Sequence, residues 1–123
     1  MRPRSSSSVR IFYPRFDLAE LTAALREGTE RLAVLLPLRR VVLFGSYAKK
    51  THTVASDIDL LVVYAGEPRD DAYALIKRTL NVPGLEPHPY TEAEYQALAS
   101  TLQRMIAGGV VLLSPDSPAD ASG

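Results

Sequence analysis

The chain has 123 residues, enough for one compact domain, and 46% of them are hydrophobic, so it can bury a core. Lys plus Arg equals Asp plus Glu at 14 each, so the basic excess of a dedicated nucleic-acid binder is absent and nucleic acid is not expected as a direct ligand. The lack of cysteine excludes disulfides, thiolate zinc sites and cysteine nucleophiles, and it fits a reducing, cytoplasmic setting. No apolar run approaches the roughly 20 residues of a membrane helix, so no membrane association is expected.

Both ends of the chain read as tails. Residues 1–8 are rich in Ser and Arg, and residues 115–123 are rich in Ser, Pro and Asp. Such compositions bury too little apolar surface to offset the entropy of ordering, so both segments are predicted to be disordered. One folded domain is expected over 9–114.

The first predicted helix begins near Asp17, which can cap it, and Glu20 stands where a capping box places its acid. Gly28 falls within the apolar stripe, either as a close-packing point or as a break, and Pro37 ends the helix. The stripe itself recurs at spacings of three and four: Leu18, Leu21, Leu25, Leu32, Leu35.

Two apolar runs, over 41–44 and 57–64, predict buried strands. Between them, residues 47–50 can form a helical turn and 51–56 a polar loop. Pro68 suits the first turn of a second helix, which ends before Pro83. The apolar face of that helix comprises Ala72, Leu75, Ile76, Thr79 and Leu80.

A third strand is predicted over 85–90, although Pro87 and Pro89 interrupt it. Because proline cannot donate to a ladder, this strand must lie at an edge or pair on one side only. A last strand is predicted over 110–113. Strands alternate with helices, so the fold class is α/β or α+β with a small sheet.

Two helical stretches separate the last two strands. Thr91 and Glu94 form a second capping-box pattern, opening a helix with Tyr95 and Leu98 inward. The next stretch carries Leu102, Met105 and Ile106 and ends at Gly108-Gly109.

The paired acids Asp57 and Asp59 carry the first chemical signal. Residues two apart on a strand point to the same side, so both carboxylates face one way. Two carboxylates held close together repel unless a cation lies between them. Hard oxygen ligands suit Mg²⁺, which usually takes one or two carboxylates together with substrate phosphates.

The bend at Gly45 and Ser46 carries the second signal. A buried strand that turns into a helical start leaves backbone N–H groups free to bind phosphate. Gly45 lets a phosphate approach the main chain without an intervening Cβ, and Ser46 adds a hydroxyl donor. An anion cradle beside paired carboxylates describes a site for a nucleoside triphosphate with Mg²⁺. Neither motif alone is strong evidence for such a site, because a Gly-Ser pair is usually a turn and an Asp-x-Asp pair is usually solvated.

Together these motifs resemble a known signature. Gly45–Ala48 (Gly-Ser-Tyr-Ala) followed by Ser56–Val62 (Ser-Asp-Ile-Asp-Leu-Leu-Val) is similar to the signature of minimal nucleotidyltransferases of the DNA polymerase β superfamily, and the interval between the two halves also matches. The resemblance covers most of the predicted domain, and the signature is more specific than a bare Gly-rich loop. It implies a small mixed β-sheet flanked by helices, the polymerase β-type nucleotidyltransferase fold.

The resemblance also implies a two-metal mechanism. Asp57 and Asp59 would hold two Mg²⁺ ions, and Gly45, Ser46 and Ser56 would bind the nucleotide, ATP or another NTP. An acceptor hydroxyl would attack the α-phosphorus in line and pyrophosphate would leave.

The family carries a third carboxylate on a later strand, usually Asp, which helps to activate the acceptor. By position the match is Glu86, which would serve as a third catalytic and metal-binding residue. The chain departs from the pattern here, because Glu replaces Asp and two prolines interrupt the strand. A strand-end acid without a ligand is the other interpretation. Lys50 is a second departure, since the family commonly has Gly there.

The remaining polar residues give no further signal. His52 and His88 are too far apart in sequence to indicate a zinc site. Tyr73 and Tyr95 are interpreted as core or rim aromatics.

Small stand-alone members of this family resemble the antitoxin half of two-gene toxin–antitoxin modules. There the transferase pairs with a helical HEPN-domain ribonuclease and can silence it by attaching AMP. The resemblance therefore implies AMP transfer from ATP to a HEPN-type partner protein and a hetero-oligomer with it. A small-molecule acceptor would usually need an added domain. The alternative is a catalytically weak nucleotide-binding module that neutralises its partner by direct binding.

Overall fold

The computed structural model describes residues 17–45 and 57–115. In chain order the elements are α1 (Leu18–Leu35), β1 (Leu38–Phe44), β2 (Ile58–Tyr64), α2 (Ala72–Leu80), β3 (Leu85–Thr91), α3 (Glu92–Ala97), α4 (Ala99–Ile106) and β4 (Val110–Leu113). The predicted helical turn over 47–50, the polar loop over 51–56 and the tails at 1–8 and 116–123 lie outside the described residues, and the domain limits at 9 and 114 stay predictions.

The four strands form one mixed sheet in the order β3-β2-β1-β4. β1 pairs antiparallel with both β2 and β4, and β2 pairs parallel with β3. Helices α1 and α2 pack on one face of the sheet, while α3 and α4 cover the other. The predicted class, a small mixed sheet flanked by helices, is confirmed.

Alternation along β1 and β2 divides the core into two layers. Val41 and Leu43 face α1 and α2, whereas Val42 and Phe44 face α3 and α4. In β2 the residues from Ile58 to Tyr64 are all buried except Asp59. A strand buried on both faces is held rigidly, which makes its end a firm platform for a side chain.

β3 is an edge strand, as its prolines predicted. Because Pro87 and Pro89 are two residues apart, their missing N–H groups lie on the same side of the strand, and the ladder to β2 forms on the other. An edge without those donors is also a poor template for a further strand.

The first helix shows the predicted capping box. The Asp17 carboxylate accepts from the Glu20 N–H at 2.8 Å, and the Glu20 carboxylate accepts from the Asp17 N–H. The helix runs through Gly28 without a break. A Cβ at that position would lie 2.8 Å from Leu80 Cγ, so Gly28 is the close-packing point of α1 against α2.

Several sequence-based details are wrong. Leu35 is 52% exposed and Leu36 is buried instead, because α1 ends there and the chain turns extended. Leu98 is 46% exposed, since it lies at the junction of α3 and α4 and not on an inward helical face. The first strand begins at Leu38, three residues before its apolar run. The second helix begins at Ala72, four residues after Pro68.

The start of α2 is held by Arg69. Its backbone N–H donates to the Tyr64 hydroxyl at 2.9 Å, and its guanidinium donates to both carboxylate oxygens of Asp71 at 3.0 and 2.9 Å. The hydrogen bond from Arg69 lowers the pKa of Asp71. The pair is exposed and adds little stability, but it orients the first turn that carries Tyr73. Within the described part of the chain, no helix is long and apolar enough to span a membrane.

Gly28→Ala tests the close packing of α1 on α2. In an exposed helix interior, alanine is more favourable than glycine by about 1 kcal/mol. Here the new methyl group meets Leu80, where both Cγ and the backbone Cα stand close. We expect the free energy of unfolding to fall by about 1–3 kcal/mol in denaturant titrations. In the double variant with Leu80→Ala, the loss should be smaller than the sum of the two single losses. Additive losses would contradict the contact.

Candidate functional site

The end of β1 bends sharply beside β2. Phe44, the last residue of β1, is the Cα partner of Asp59, and Gly45 follows with φ of +81°. That left-handed conformation is strained for any residue with a Cβ. The bend predicted from the Gly-Ser pair is therefore present at its first residue.

Gly45 is in direct contact with the Asp59 side chain. A Cβ at position 45 would lie 2.5 Å from Asp59 Oδ2 and 3.3 Å from its Cγ. Real Cβ atoms essentially never approach so closely, so glycine is required here both by its φ and by the carboxylate. The glycine bend, which the sequence predicts to bind phosphate, and the acidic strand meet at this point.

Asp57 and Asp59 lie where β2 begins. Asp57 is exposed immediately before the strand, and Asp59 is the partly buried second residue. Asp59 faces the α3 and α4 side of the sheet, because its neighbours Ile58 and Leu60 belong to the other layer. Carboxylate oxygens at the rim of a sheet suit Mg²⁺, which needs one or two of them besides substrate phosphates. Across residues 17–45 and 57–115, no group of three or more His, Cys, Asp or Glu side chains is gathered closely enough to hold a metal by itself.

His88 is the side chain that the structure brings to Asp59. Its Nε2 lies 3.2 Å from Asp59 Oδ1, and both side chains are about one-third exposed, at 32% and 29%. The imidazole ring packs against Phe44 with ring centroids 5.2 Å apart. Asp59 thus has one oxygen held by His88 and the other against Gly45. The Nε2–H tautomer of His88 is the form that donates this bond.

Sequence reasoning missed His88 because it considered only histidine–histidine spacing. The signal was alternation along β3, since His88 is two residues from Glu86 and therefore projects from the same side of that strand. That signal becomes informative only when β3 is known to lie next to β2.

Glu86 is in register with Asp59 across the parallel β2–β3 pair. Its side chain does not turn toward Asp59. Instead, Glu86 Oε1 accepts a hydrogen bond at 3.0 Å from the hydroxyl of Tyr73 on α2. The register fits the position predicted for a third carboxylate, while the side chain has another partner. Ser46 and Ser56, the other two predicted nucleotide-binding residues, lie outside the described part of the chain.

A cavity of about 170 Å³ lies at the other end of the sheet. Its two cations already have partners, since Arg39 pairs with Glu92 at 3.5 Å and Arg40 stacks over Tyr95 at 4.8 Å. The cavity is thus remote from the acids and offers no unpaired cation for phosphate among the residues that line it.

An acidic strand end meets a glycine bend at the rim of a mixed sheet, and both features suit a nucleotide phosphate with a divalent cation. The chain matches the model of the nucleotidyltransferase domain family over residues 25–106, about two thirds of its length. This chain belongs to the nucleotidyltransferase domain family. No curated protein matches it.

Solved structures share the fold. A protein of Sulfolobus solfataricus assigned as a nucleotidyltransferase is 21% identical, aligns over 77% of this chain and 81% of its own, and gives a TM-score of 0.57. A toxin–antitoxin complex with AMP-PNP gives 20% identity, 79% and 77% coverage and a TM-score of 0.54. The third is the MntA–HpeT toxin–antitoxin, in a mutant with two aspartates two positions apart changed to glutamate. It is 17% identical, aligns over 87% of this chain and 79% of its own, and gives a TM-score of 0.51.

Gly45→Ala tests the contact between the bend and Asp59. We expect the left-handed φ to cost about 1–2 kcal/mol of stability. The displaced Asp59 carboxylate should lower nucleotidyl transfer about 100-fold, measured as pyrophosphate release from ATP. Gly66→Ala is the matched control, because Gly66 also has a left-handed φ, of +98°, with nothing within 4 Å of its Cβ position, and it follows the end of β2 opposite to the acids. Equal losses of transfer in both variants would contradict a specific role for Gly45.

His88 variants test whether this residue fixes the Asp59 carboxylate. Because Asp59 is a predicted metal ligand, removing its hydrogen-bond donor should weaken Mg²⁺ binding about 10–100-fold. We expect this in His88→Phe, which keeps a ring beside Phe44, and a smaller loss in His88→Gln, whose amide can still donate. The measurement is the Mg²⁺ dependence of AMP-PNP binding by calorimetry. Full binding in His88→Phe would assign the histidine to packing alone.

Proposed function

We propose that this chain is a Mg²⁺-dependent nucleotidyltransferase that moves AMP from ATP to a hydroxyl of a partner protein, as the antitoxin of a toxin–antitoxin pair. The observation that carries the proposal is the contact between Gly45 and the Asp59 carboxylate. This contact brings Gly45 of the predicted phosphate cradle against Asp59, one of the predicted metal ligands, and so supports a single site. Family membership supports the reaction class.

The donor set fits the metal that this reaction uses. Asp57 and Asp59 offer hard carboxylate oxygens, and the triphosphate would complete the coordination of two Mg²⁺ ions. Bound Mg²⁺ would supply charge neutralisation on the phosphates and on the departing pyrophosphate. The chain's own contribution is positioning: the rigid end of β2 holds the acids, and the Gly45 bend admits the β and γ phosphates.

A protein acceptor is supported by one observation. The fold is similar to that of chains in toxin–antitoxin complexes, one of which contains AMP-PNP, and the alignment covers more than three quarters of each of those chains. The acceptor we propose is a HEPN-type helical toxin with which the chain forms a hetero-oligomer.

One observation favours the alternative, a nucleotide-binding module that neutralises its partner by occlusion. Glu86, the predicted third carboxylate, is engaged by Tyr73 and does not turn toward Asp59. A site with two acids would bind nucleotide and transfer it slowly.

Asp57→Ala and Asp59→Ala separate the two functions. The full chain is incubated with Mg²⁺, ATP labelled at the α-phosphate and a candidate helical partner protein. We expect each variant to lower label transfer roughly 1,000-fold or more, because metal-based charge stabilisation is worth several kcal/mol. Asp70→Asn is the matched control, because Asp70 is an exposed acid two residues before α2. This variant should transfer the label at the normal rate.

Neutralisation of the partner is measured in parallel. If neutralisation persists in both aspartate variants while no label is ever transferred, occlusion is the function. If wild-type chain neither transfers label nor binds ATP with Mg²⁺, both functions are excluded.

A further inference from the structure

The Tyr73 hydroxyl occupies a chemically informative position. Tyr73 lies in the first turn of α2 and is 40% exposed. Its hydroxyl donates a hydrogen bond to Glu86 Oε1 at 3.0 Å. Glu86 is the acid predicted to activate an acceptor hydroxyl. The hydroxyl that is hydrogen-bonded to this acid belongs to the chain itself.

The relevant groups follow one another across the sheet. Gly45, just after β1, contacts Asp59 on β2, Asp59 is in register with Glu86 on β3, and Glu86 accepts a hydrogen bond from Tyr73 on α2. Neighbouring strands are about 4.8 Å apart, so Asp59 and Glu86 lie one strand spacing from each other, and Tyr73 is hydrogen-bonded to the second of them.

The in-line geometry of nucleotidyl transfer determines from which side of the acids the attacking hydroxyl must come. The departing pyrophosphate would lie at the Gly45 bend, on the β1 side of the acids. A nucleophile must approach the α-phosphorus from the side opposite the leaving group. That side is the β3 edge, where Glu86 and Tyr73 stand.

We propose that Tyr73 is a self-adenylylation site, an inference that rests on the proposed transferase function. The Tyr73 oxygen attacks the α-phosphorus of ATP and forms a phosphodiester to tyrosine. The bond from the α-phosphorus to the bridging oxygen breaks, and pyrophosphate leaves with that electron pair. The phenol proton passes to Glu86.

Glu86 is suited to the proton transfer. A phenol stays protonated at neutral pH, so its attack needs a base. A general base must lie within about 2.6–3.2 Å of the oxygen whose proton it takes, and the Glu86–Tyr73 bond satisfies this before any nucleotide binds. Tyr73 is partly exposed, with Lys77 over its ring at 5.7 Å, and Glu86 lies on the edge strand of the sheet.

The test is the intact mass of the full chain after incubation with ATP and Mg²⁺, followed by peptide mapping. We expect one AMP on Tyr73, and none in Tyr73→Phe or Asp59→Ala. Glu86→Gln keeps an acceptor for the hydroxyl and loses the base, so the modification rate should fall at least 100-fold. Tyr90→Phe, at the other end of β3, is the matched control and should be modified normally. Thermal melts establish that each variant is folded.

Other outcomes overturn the proposal in distinguishable ways. AMP transfer to the partner protein with Tyr73 unmodified removes the self-modification and leaves the proposed function intact. AMP on a different residue, unchanged by Tyr73→Phe, also excludes Tyr73. Unchanged modification in Glu86→Gln contradicts the role of Glu86 as base. No pyrophosphate release with any acceptor excludes both this inference and the transferase function.

Discussion

The site depends on the antiparallel pairing of β1 with β2, which sets the Phe44–Gly45 end of one strand beside Asp59 on the other. At that point a backbone without Cβ and a carboxylate are in contact. Any residue other than glycine would push the carboxylate aside, and any shift of register by one residue would turn Asp59 into the opposite core layer. The same contact therefore constrains both the position of the Asp59 carboxylate and the backbone of the bend at Gly45.

Burial on both faces makes this constraint stable. Val42 and Leu61 pack in one layer and Leu43 and Leu60 in the other, so neither strand can slip without exposing apolar side chains on both sides. Fully burying one such side chain is worth about 1.5–3 kcal/mol, so a slip that exposes several of them is strongly disfavoured. The end of β2 thus holds Asp59 without needing a large number of polar contacts.

The sequence predicted the features that are local. The capping boxes at Asp17 and Thr91, the buried strand before the bend and the edge position of the proline-containing strand all follow from neighbours within a few residues. His88 and Tyr73 could not be found this way, because their partners lie 29 and 13 residues away. The parallel β2–β3 pair brings His88 to Asp59, and the packing of α2 against β3 brings Tyr73 to Glu86. Leu98 was misassigned for a related reason: helical periodicity does not reveal that one helix stops and another starts at that residue.

Glu86 shows why an edge strand matters to the chemistry. Its Cα is in register with Asp59, the position expected for a third carboxylate, and its side chain reaches Tyr73 on α2. An aspartate at this position would be one methylene shorter and less able to reach that partner. Within residues 17–45 and 57–115 no strand pairs with the outer edge of β3, so no ladder covers that edge beside Glu86. Under the proposed transferase function, the hydroxyl that Glu86 binds, from Tyr73 or from a partner, would decide where the nucleotide goes.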